Sequence, residues 1–533
     1  VSRRTRFLTL AAVLLLSLPL AARASAPPPE TSTFTHTTNL EPLGAAPRPA
    51  TTAFNSDIAF WGDTAYNGNY WGFHIVDISN PAAPQTIINY EDCRGSQGDV
   101  IIWENILVRA WNSPAPANST CDGDPVPEGF EGIHIFDVSN PLNPDLIKSV
   151  ETVDGSHTAT GVPDPANGRL IVYSNPGFDI IEIPLANPAG ASIVGKFNPG
   201  RTCHDVSVFL AGPDPRVACP GGDGFSMGSL GGRKGGTLTE PVLMYSHPIQ
   251  PYVTIGHAAT FSNDGEVMVF GHEPGGGSAG FCKATDDALK AKTYFFFYVE
   301  TGTQIGEYAM PRSQLPNENC TVHNFNVVPT SKRDILVAGN YQSGISVVDF
   351  TNPGAAKEIA YADPAPLPGA NTLGGDWSTH WYNGHIYESD ITRGLIVWKL
   401  NDPAVSGART LGHLNPQTQE DIIEFTGKIG GGVLPKCKGK LTTVFGTAKK
   451  DVLKGTPDRD VFSAGKGNDV IKTGKGNDIV CGGAGNDVLR GSGGNDILLG
   501  QKGNDTGKGG KGKDTFKGGA GKDRGTGYEK GKA

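Results

Sequence analysis

Five stretches of the chain share one pattern of apolar and polar positions. WGFHIVDISNPAAPQTI (71–87), EGIHIFDVSNPLNPDLI (131–147) and SGISVVDFTNPGAAKEIAY (343–361) are close copies. FDIIEIPLANPAGASIV (178–194) and RGLIVWKLNDPAVSGARTL (393–411) are looser ones. Each is a β-branched run, a turn with Asn-Pro or Asp-Pro, and a second run, which predicts two strands joined by a tight turn. A further pair of strands precedes each copy, as in HNFNVVP followed by DILVAGNY. Four strands in a unit of about 50 residues predict the blades of a β-propeller. The innermost strands are expected at SDIAFW, GDVIIW, HTATGV, HDVSVF, HAATFS, HNFNVV and HWYNGH, giving seven blades. The aspartates of the turn motif, Asp77, Asp137 and Asp349, are expected to cap their own turns. No long stretch shows helical apolar periodicity.

A second period begins at Gly446 and is shorter. The chain divides without slippage into nonapeptides, GTAKKDVLK, GTPDRDVFS, AGKGNDVIK, TGKGNDIVC, GGAGNDVLR, GSGGNDILL, GQKGNDTGK, GGKGKDTFK and GGAGKDRGT. The aspartates recur at 451, 460, 469, 478, 487, 496, 505, 514 and 523. Two residues after most of them stands an apolar side chain: Leu453, Phe462, Ile471, Val480, Leu489, Leu498 and Phe516. Glycines permit a tight turn whose carbonyls face one pocket, and the aspartate adds a carboxylate. Such an oxygen-rich site suits a hard cation that takes six to eight oxygen ligands.

Two families are suggested by these motifs. The nonapeptides resemble the RTX calcium-binding repeat. The resemblance implies a parallel β-roll that folds on several Ca2+ ions, each lying between turns two repeats apart, so that Asp469 pairs with Asp487 and Asp478 with Asp496. The candidate calcium residues are Asp460, Asp469, Asp478, Asp487, Asp496 and Asp505, with the turn glycines Gly467, Gly476, Gly485 and Gly494. The motif GxxIVDxSNP resembles the LVIVD-repeat family, whose members look like secreted or surface β-propellers of mostly unassigned biochemical role. The expected fold is all-β, a seven-bladed β-propeller followed by a parallel β-roll. The expected organisation is a signal peptide at 1–24, an N-terminal extension at 25–50, the propeller at 51–415, a linker at 416–445, the roll at 446–526 and a tail at 527–533.

Composition narrows the class. The chain of 533 residues is long enough for two or three domains, and 73 Gly with 39 Pro favour a turn-rich β protein. A formal charge of −9 argues against a generic nucleic-acid binder. SRRTR, then FLTLAAVLLLSLPL, then AARASA reads as a bacterial secretion signal cleaved after Ala24. No other segment is apolar and long enough to span a membrane. Eight cysteines in an exported chain suggest disulfides, and local pairing gives Cys93–Cys121, Cys203–Cys219, Cys282–Cys320 and Cys437–Cys481.

The candidate chemistry of the propeller rests on histidines. His157, His204, His257, His323 and His380 are each expected to open an innermost strand, near one mouth of the central channel. Converging imidazoles would suit Zn, Cu, Ni or Fe. Asp57, Asp99 and Asp205 stand beside the corresponding positions, and Glu273 in GHEPGGG is on the adjoining strand or loop. The competing reading is that each imidazole bonds a neighbouring blade's backbone. There is no GxSxG elbow, HExxH, P-loop or dinucleotide fingerprint. The absence of a complete catalytic motif favours a calcium-binding module for a protein or glycan ligand at or outside the cell surface. The alternative is an extracellular metal-dependent oxidoreductase or hydrolase that uses the histidines.

Overall fold

The computed structural model describes residues 28–420 and 436–527, apart from short stretches at 50–51, 96, 213, 278–288, 313–314, 368–372, 439, 442–443, 447–449 and 456–458. The expected signal peptide and Cys282 lie outside the described residues. Among the described residues no helix is long and apolar enough to cross a membrane.

Seven antiparallel sheets follow one another along the chain, each a blade of four core strands. Their innermost strands are Asn55–Trp61, Val100–Trp103, Thr158–Asp164, Ser207–Phe209, Gly256–Phe261, Phe325–Val327 and Asp376–Tyr382. The inner strands of a blade are packed on both faces by the neighbouring blades. They therefore read as near-continuous apolar runs, as in Thr293–Tyr298 (TYFFFY), where every residue is buried. Outermost strands have a solvent side and lose that continuity, as in Gln85–Tyr90, where only Tyr90 is buried. Each motif aspartate accepts a backbone N–H two residues on: Ser79 N–H to Asp77 Oδ1 at 2.8 Å, Ser139 N–H to Asp137 Oδ1 at 2.8 Å, and Thr351 N–H to Asp349 Oδ1 at 3.1 Å. These aspartates are turn-builders, as their position in the motif suggests.

Segments that the repeat pattern left outside the blades take part in them, among them Thr35–His36, which pairs antiparallel with Lys357–Asp363 of blade six. Leu40–Pro47 is the outermost strand of blade seven and pairs antiparallel with Gly394–Leu400. The ring is thus closed by a strand from the start of the chain. After blade seven, residues 413–419 run around the end of the channel where the innermost strands finish. His413 and Leu414 pair with blade one. Asn415 bonds both the N–H and the C=O of Ile102 in blade two. Thr418 Oγ1 donates to the Gly161 carbonyl of blade three, and Thr418–Gln419 pairs parallel with Val208–Phe209 of blade four. Gln419 Nε2 donates to the Phe261 carbonyl of blade five. This strap covers one end of the channel and leaves the histidine end as its mouth.

The C-terminal repeats form two parallel five-stranded sheets. Partners within a sheet are 18 residues apart, as in Ile471↔Leu489 and Val480↔Leu498. Odd and even repeats therefore lie on opposite sides of a flattened coil. Phe462, Ile471, Val480, Leu489 and Leu498 meet between the sheets as its core. One sheet is backed by the hairpin of Lys436–Cys437 and Lys440–Leu441, which the Cys437–Cys481 disulfide joins to it.

Candidate functional site

In the roll, each aspartate sits in the turn before a strand and turns its carboxylate inward. Asp469 N–H donates to Asp487 Oδ1, Asp478 N–H to Asp496 Oδ1 and Asp487 N–H to Asp505 Oδ1, each at 2.9 Å. The partners two repeats apart are the ones the register implies. The second oxygen, Oδ2, of Asp469, Asp478, Asp487, Asp496, Asp505 and Asp514 is buried without a hydrogen-bond partner. A buried carboxylate oxygen with no donor costs free energy unless a cation or proton meets it. Backbone oxygen lies alongside. A Cβ placed on Gly482 would come within 2.6 Å of Asp487 Oδ2 and 2.9 Å of the Gly500 carbonyl. The cradle thus consists of a carboxylate and carbonyls around a space only glycine leaves open, which fits Ca2+. Asp460 is buried too.

The turn glycines act differently. Gly467, Gly476, Gly485 and Gly494 all have positive φ, and a Cβ on Gly485 would collide with the Gly467 carbonyl of the turn stacked on it. Burial and the carboxylates of Asp505 and Asp469 push the Asp487 carboxyl up to about 6, and burial with Asp478 and Asp514 does the same to Asp496. The sequence reading did not include Asp514 or the cradle glycines Gly482, Gly491 and Gly500. Their signal was the unbroken period itself, which continues through Lys513-Asp514.

At the propeller mouth, four of the five histidines adjoin in a chain. Ring centroids are 4.5 Å apart for His157–His204, 4.1 Å for His204–His257 and 4.3 Å for His257–His323. His157 Nε2 and His204 Nε2 are 2.9 Å apart. The other ring nitrogens of His204, His257 and His323 face polar groups, although His204 Nδ1 and His257 Nδ1 make no hydrogen bond. His323 Nδ1 bonds the Trp377 carbonyl of the next blade, which is the backbone role the competing reading expects. His257 Nδ1 lies 3.3 Å and His204 Nδ1 3.6 Å from Asp205 Oδ2. The Nε2 atoms of His257 and His323 each stand 3.8 Å from a Glu273 oxygen. Two ligand-capable triads result, His204–Asp205–His257 and His257–Glu273–His323. Burial holds His157 and His323 down to about 3 and His257 well below its ordinary value, while Asp205 raises His204 against the effect of burial. Burial pushes Glu273 up to about 7, and the Tyr341 hydroxyl donates to it.

His380 does not join them. The innermost strand of blade seven is Asp376–Tyr382, so HWYNGH straddles the strand end and the hairpin turn, and His380 is mid-strand. Bridges Asp205↔Ala258 and Asn324↔Ser378 place His204 level with His257, and His323 level with Trp377. His380 therefore lies three residues deeper, with Nε2 3.6 Å from Asp57 Oδ1. Asp57 also accepts from Ser378 Oγ and, at 3.0 Å, from Gln417 Nε2 of the strap. Asp99 accepts from Ala159 N–H, and burial together with Asp57 and Asp205 raises its carboxyl well above the usual range. The mouth opens into a cavity of about 440 Å³, lined also by Tyr70, Gln97, Asn112, Tyr341 and Trp377. Sequence reasoning missed these, although Tyr70 and Tyr341 each follow a Gly-Asn at the end of a second strand, a shared signal that could have found them. A further buried group, Asp376, Glu388 and Asp390 in blade seven, is held by the Asp390–Arg393 ion pair at 2.7 Å and by Trp398 Nε1 donating to Glu388 at 2.6 Å.

The disulfides Cys93–Cys121, Cys203–Cys219 and Cys437–Cys481 are formed. Cys320 is disulfide-bonded too.

Comparison with known proteins agrees with both repeats. Residues 445–480, 474–507 and 499–528 match the RTX calcium-binding nonapeptide repeat, and residues 55–92 and 129–152 match the LVIVD repeat. Among curated proteins none matches the chain. A crystal structure of the computationally designed Ika8 protein aligns at 11% identity over 67% of this chain and 99% of its own, with a TM-score of 0.39. The chain is a seven-bladed β-propeller protein with LVIVD repeats, followed by a β-roll of RTX calcium-binding nonapeptide repeats.

Proposed function

We propose that the protein is a secreted bacterial calcium-binding module that works at or outside the cell surface and receives its ligand at the propeller mouth. The observation that carries this reading is the channel itself, strapped at one end by residues 413–419 and open at the other into a cavity of about 440 Å³. A pocket with aromatic walls and a few convergent polar groups is built to hold a ligand. Export is supported by the calcium repeats and the disulfides, which suit a calcium-rich, oxidising medium, and by the leader-like residues 1–24. Calcium folds the roll by occupying the Asp Oδ2 cradles.

A second reading is a metal-dependent enzyme, favoured by the imidazole chain at the mouth. Three histidines have Nδ1 facing a carbonyl or carboxylate, the arrangement that turns the other nitrogen toward a metal. The 2.9 Å separation of His157 Nε2 and His204 Nε2 matches two donors to one ion. Burial keeps His157, His257 and His323 neutral, the form that ligates. Metal analysis of the purified protein separates the readings. Calcium alone supports the binding module, and washing-resistant, stoichiometric Zn, Cu, Ni or Fe supports the enzyme. A protein that retains no calcium refutes the first reading.

A further inference from the structure

The two faces of the roll are unlike. One sheet is backed by the disulfide-joined hairpin at Lys436–Leu441 over Val461, Ile479 and Cys481. The other sheet turns outward a column whose register is Lys454↔Lys472↔Arg490↔Lys508↔Thr526. All four cations are exposed. Among the described residues none of them has an ion pair or a side-chain hydrogen bond. Rungs of a sheet are about 4.8 Å apart, so the four charges form a straight ladder about 14 Å long. Beside it runs a second outward column, Val452, Val470, Val488 and Thr506. Arg490, Ser492, Lys508 and Lys511 also line a shallow cavity of about 260 Å³.

The charge bookkeeping sharpens the contrast. Residues 446–526 hold 15 Lys and Arg against 10 Asp, a formal +5 in a chain of −9. The aspartates from Asp460 to Asp514 that line the turns are at most 3% exposed, so the surface that remains is almost wholly cationic. Calcium in the cradles would neutralise the buried carboxylates and leave the ladder unopposed.

We infer that this ladder is a docking surface for a linear acidic polysaccharide. The inference rests on the calcium-module reading and names a partner for it. A 1,4-linked uronate chain presents one carboxylate per sugar at a spacing comparable with one rung, and its aliphatic C–H faces can lie over the valine column. A single-stranded nucleic acid would call for aromatic stacking platforms, and the two outward columns contain none. A membrane surface would call for large apolar anchors standing beside the cations, and the neighbouring column offers only short β-branched side chains.

The test uses the full chain at pH 7 with a short, non-gelling oligogalacturonate, titrated calorimetrically in calcium and in chelator. Neutral dextran, single-stranded DNA and anionic phospholipid vesicles are run alongside. The expected result is binding in calcium that weakens with salt and vanishes in chelator. The variant with Lys454, Lys472, Arg490 and Lys508 all changed to Gln should bind about tenfold more weakly or worse. A matched variant with Lys502, Lys513, Lys517 and Lys522 changed to Gln loses the same charge elsewhere and should change less than about threefold. Equal loss in both variants overturns the ladder, because net charge alone would explain it. Tighter binding to DNA or vesicles, or no preference over dextran, overturns the partner. Protease resistance of the roll is read in the same samples. Protection by calcium without oligosaccharide binding refutes this inference alone, and no protection by calcium refutes the calcium-module reading with it.

Discussion

Replacing Asp487 by Asn should change the stability of the roll in opposite directions with and without calcium. The substitution keeps Oδ1, which accepts the Asp469 N–H at 2.9 Å, and exchanges only the unpartnered Oδ2 for an amide. In chelator, burial and the neighbouring carboxylates of Asp505 and Asp469 hold the Asp487 carboxyl at about 6 instead of the ordinary 3.8. Keeping it ionised at pH 7 therefore costs about 3 kcal/mol, which water at the rim of the turn reduces to about 1 kcal/mol. Because the folded value is raised, the protonated form favours the fold below pH 4, and that contribution is lost as pH rises through 6. The Asn variant escapes this loss, so in chelator at pH 7 its roll should be more stable by about 1 kcal/mol. In calcium the order reverses, because a carboxylate ligand has been replaced by a weaker amide, and the calcium midpoint should rise severalfold or more. The assay is protease resistance of residues 446–526 in the full chain, followed against urea in chelator and in calcium at pH 7 and pH 5. Destabilisation by the same amount in both media would refute the reasoning, since the side chain would then matter only for packing. An unchanged calcium midpoint would show that Oδ2 is not a ligand.

Other consequences can be checked more briefly. If a transition metal occupies the mouth, His204→Ala and His323→Ala should each abolish its retention, measured by elemental analysis, while leaving the propeller folded. If the histidines are structural, no metal is found and each change instead costs about 1 to 3 kcal/mol in the melt, the penalty for an unsatisfied buried partner. Asp334 accepts from the Asn263 N–H at 3.0 Å, and burial with the Asp264 carboxylate pushes it up to about 8. Its raised value favours the fold below pH 4 and that contribution is gone above pH 8, so Asp334→Asn should melt higher than the parent at pH 9, with the gap closing at pH 5. Equal gaps at both pH values would count against it. Asn415→Ala removes both bonds to the Ile102 backbone and should lower propeller stability by about 1 to 3 kcal/mol in denaturant melts. A neutral outcome would mean that the strap is not held by blade two.

The roll was legible because its information is repeated every nine residues. Each strand contributes one core side chain and each turn one carboxylate, so Phe462, Ile471, Val480, Leu489 and Leu498 fall together without any long-range inference. The blades were legible for the same reason, since the turn motif with Asp77, Asp137 or Asp349 marks the third and fourth strands of its sheet. What sequence hid was whatever a repeat does not contain. Leu40–Pro47 (LEPLGAAP) has two prolines and no β-branched residue, yet it serves as an edge strand, where a missing N–H is tolerated. The strap around Asn415 and Thr418 reads as polar linker because its bonds run to five different blades. His380 matched the other histidines by letter and not by register, since the strand begins at Asp376 and Trp377 takes the level of the imidazoles.

The placement of charge in the roll links its folding to what it can present. In the unfolded segment the 15 cations and 10 aspartates alternate closely along the chain, so each cation has a carboxylate within about a Debye length. Folding sorts them. The nine-residue period sends the aspartates into turns and buries those from Asp460 to Asp514, while the strand alternation sends Lys454, Lys472, Arg490 and Lys508 outward in one column. That sorting is unfavourable alone, because it gathers carboxylates around Asp487 and Asp496 and raises both to about 6. Calcium relieves the carboxylate side and does nothing to oppose the cationic side. A cation that stabilises the fold therefore increases the positive field at its surface, and the surface exists only where calcium does.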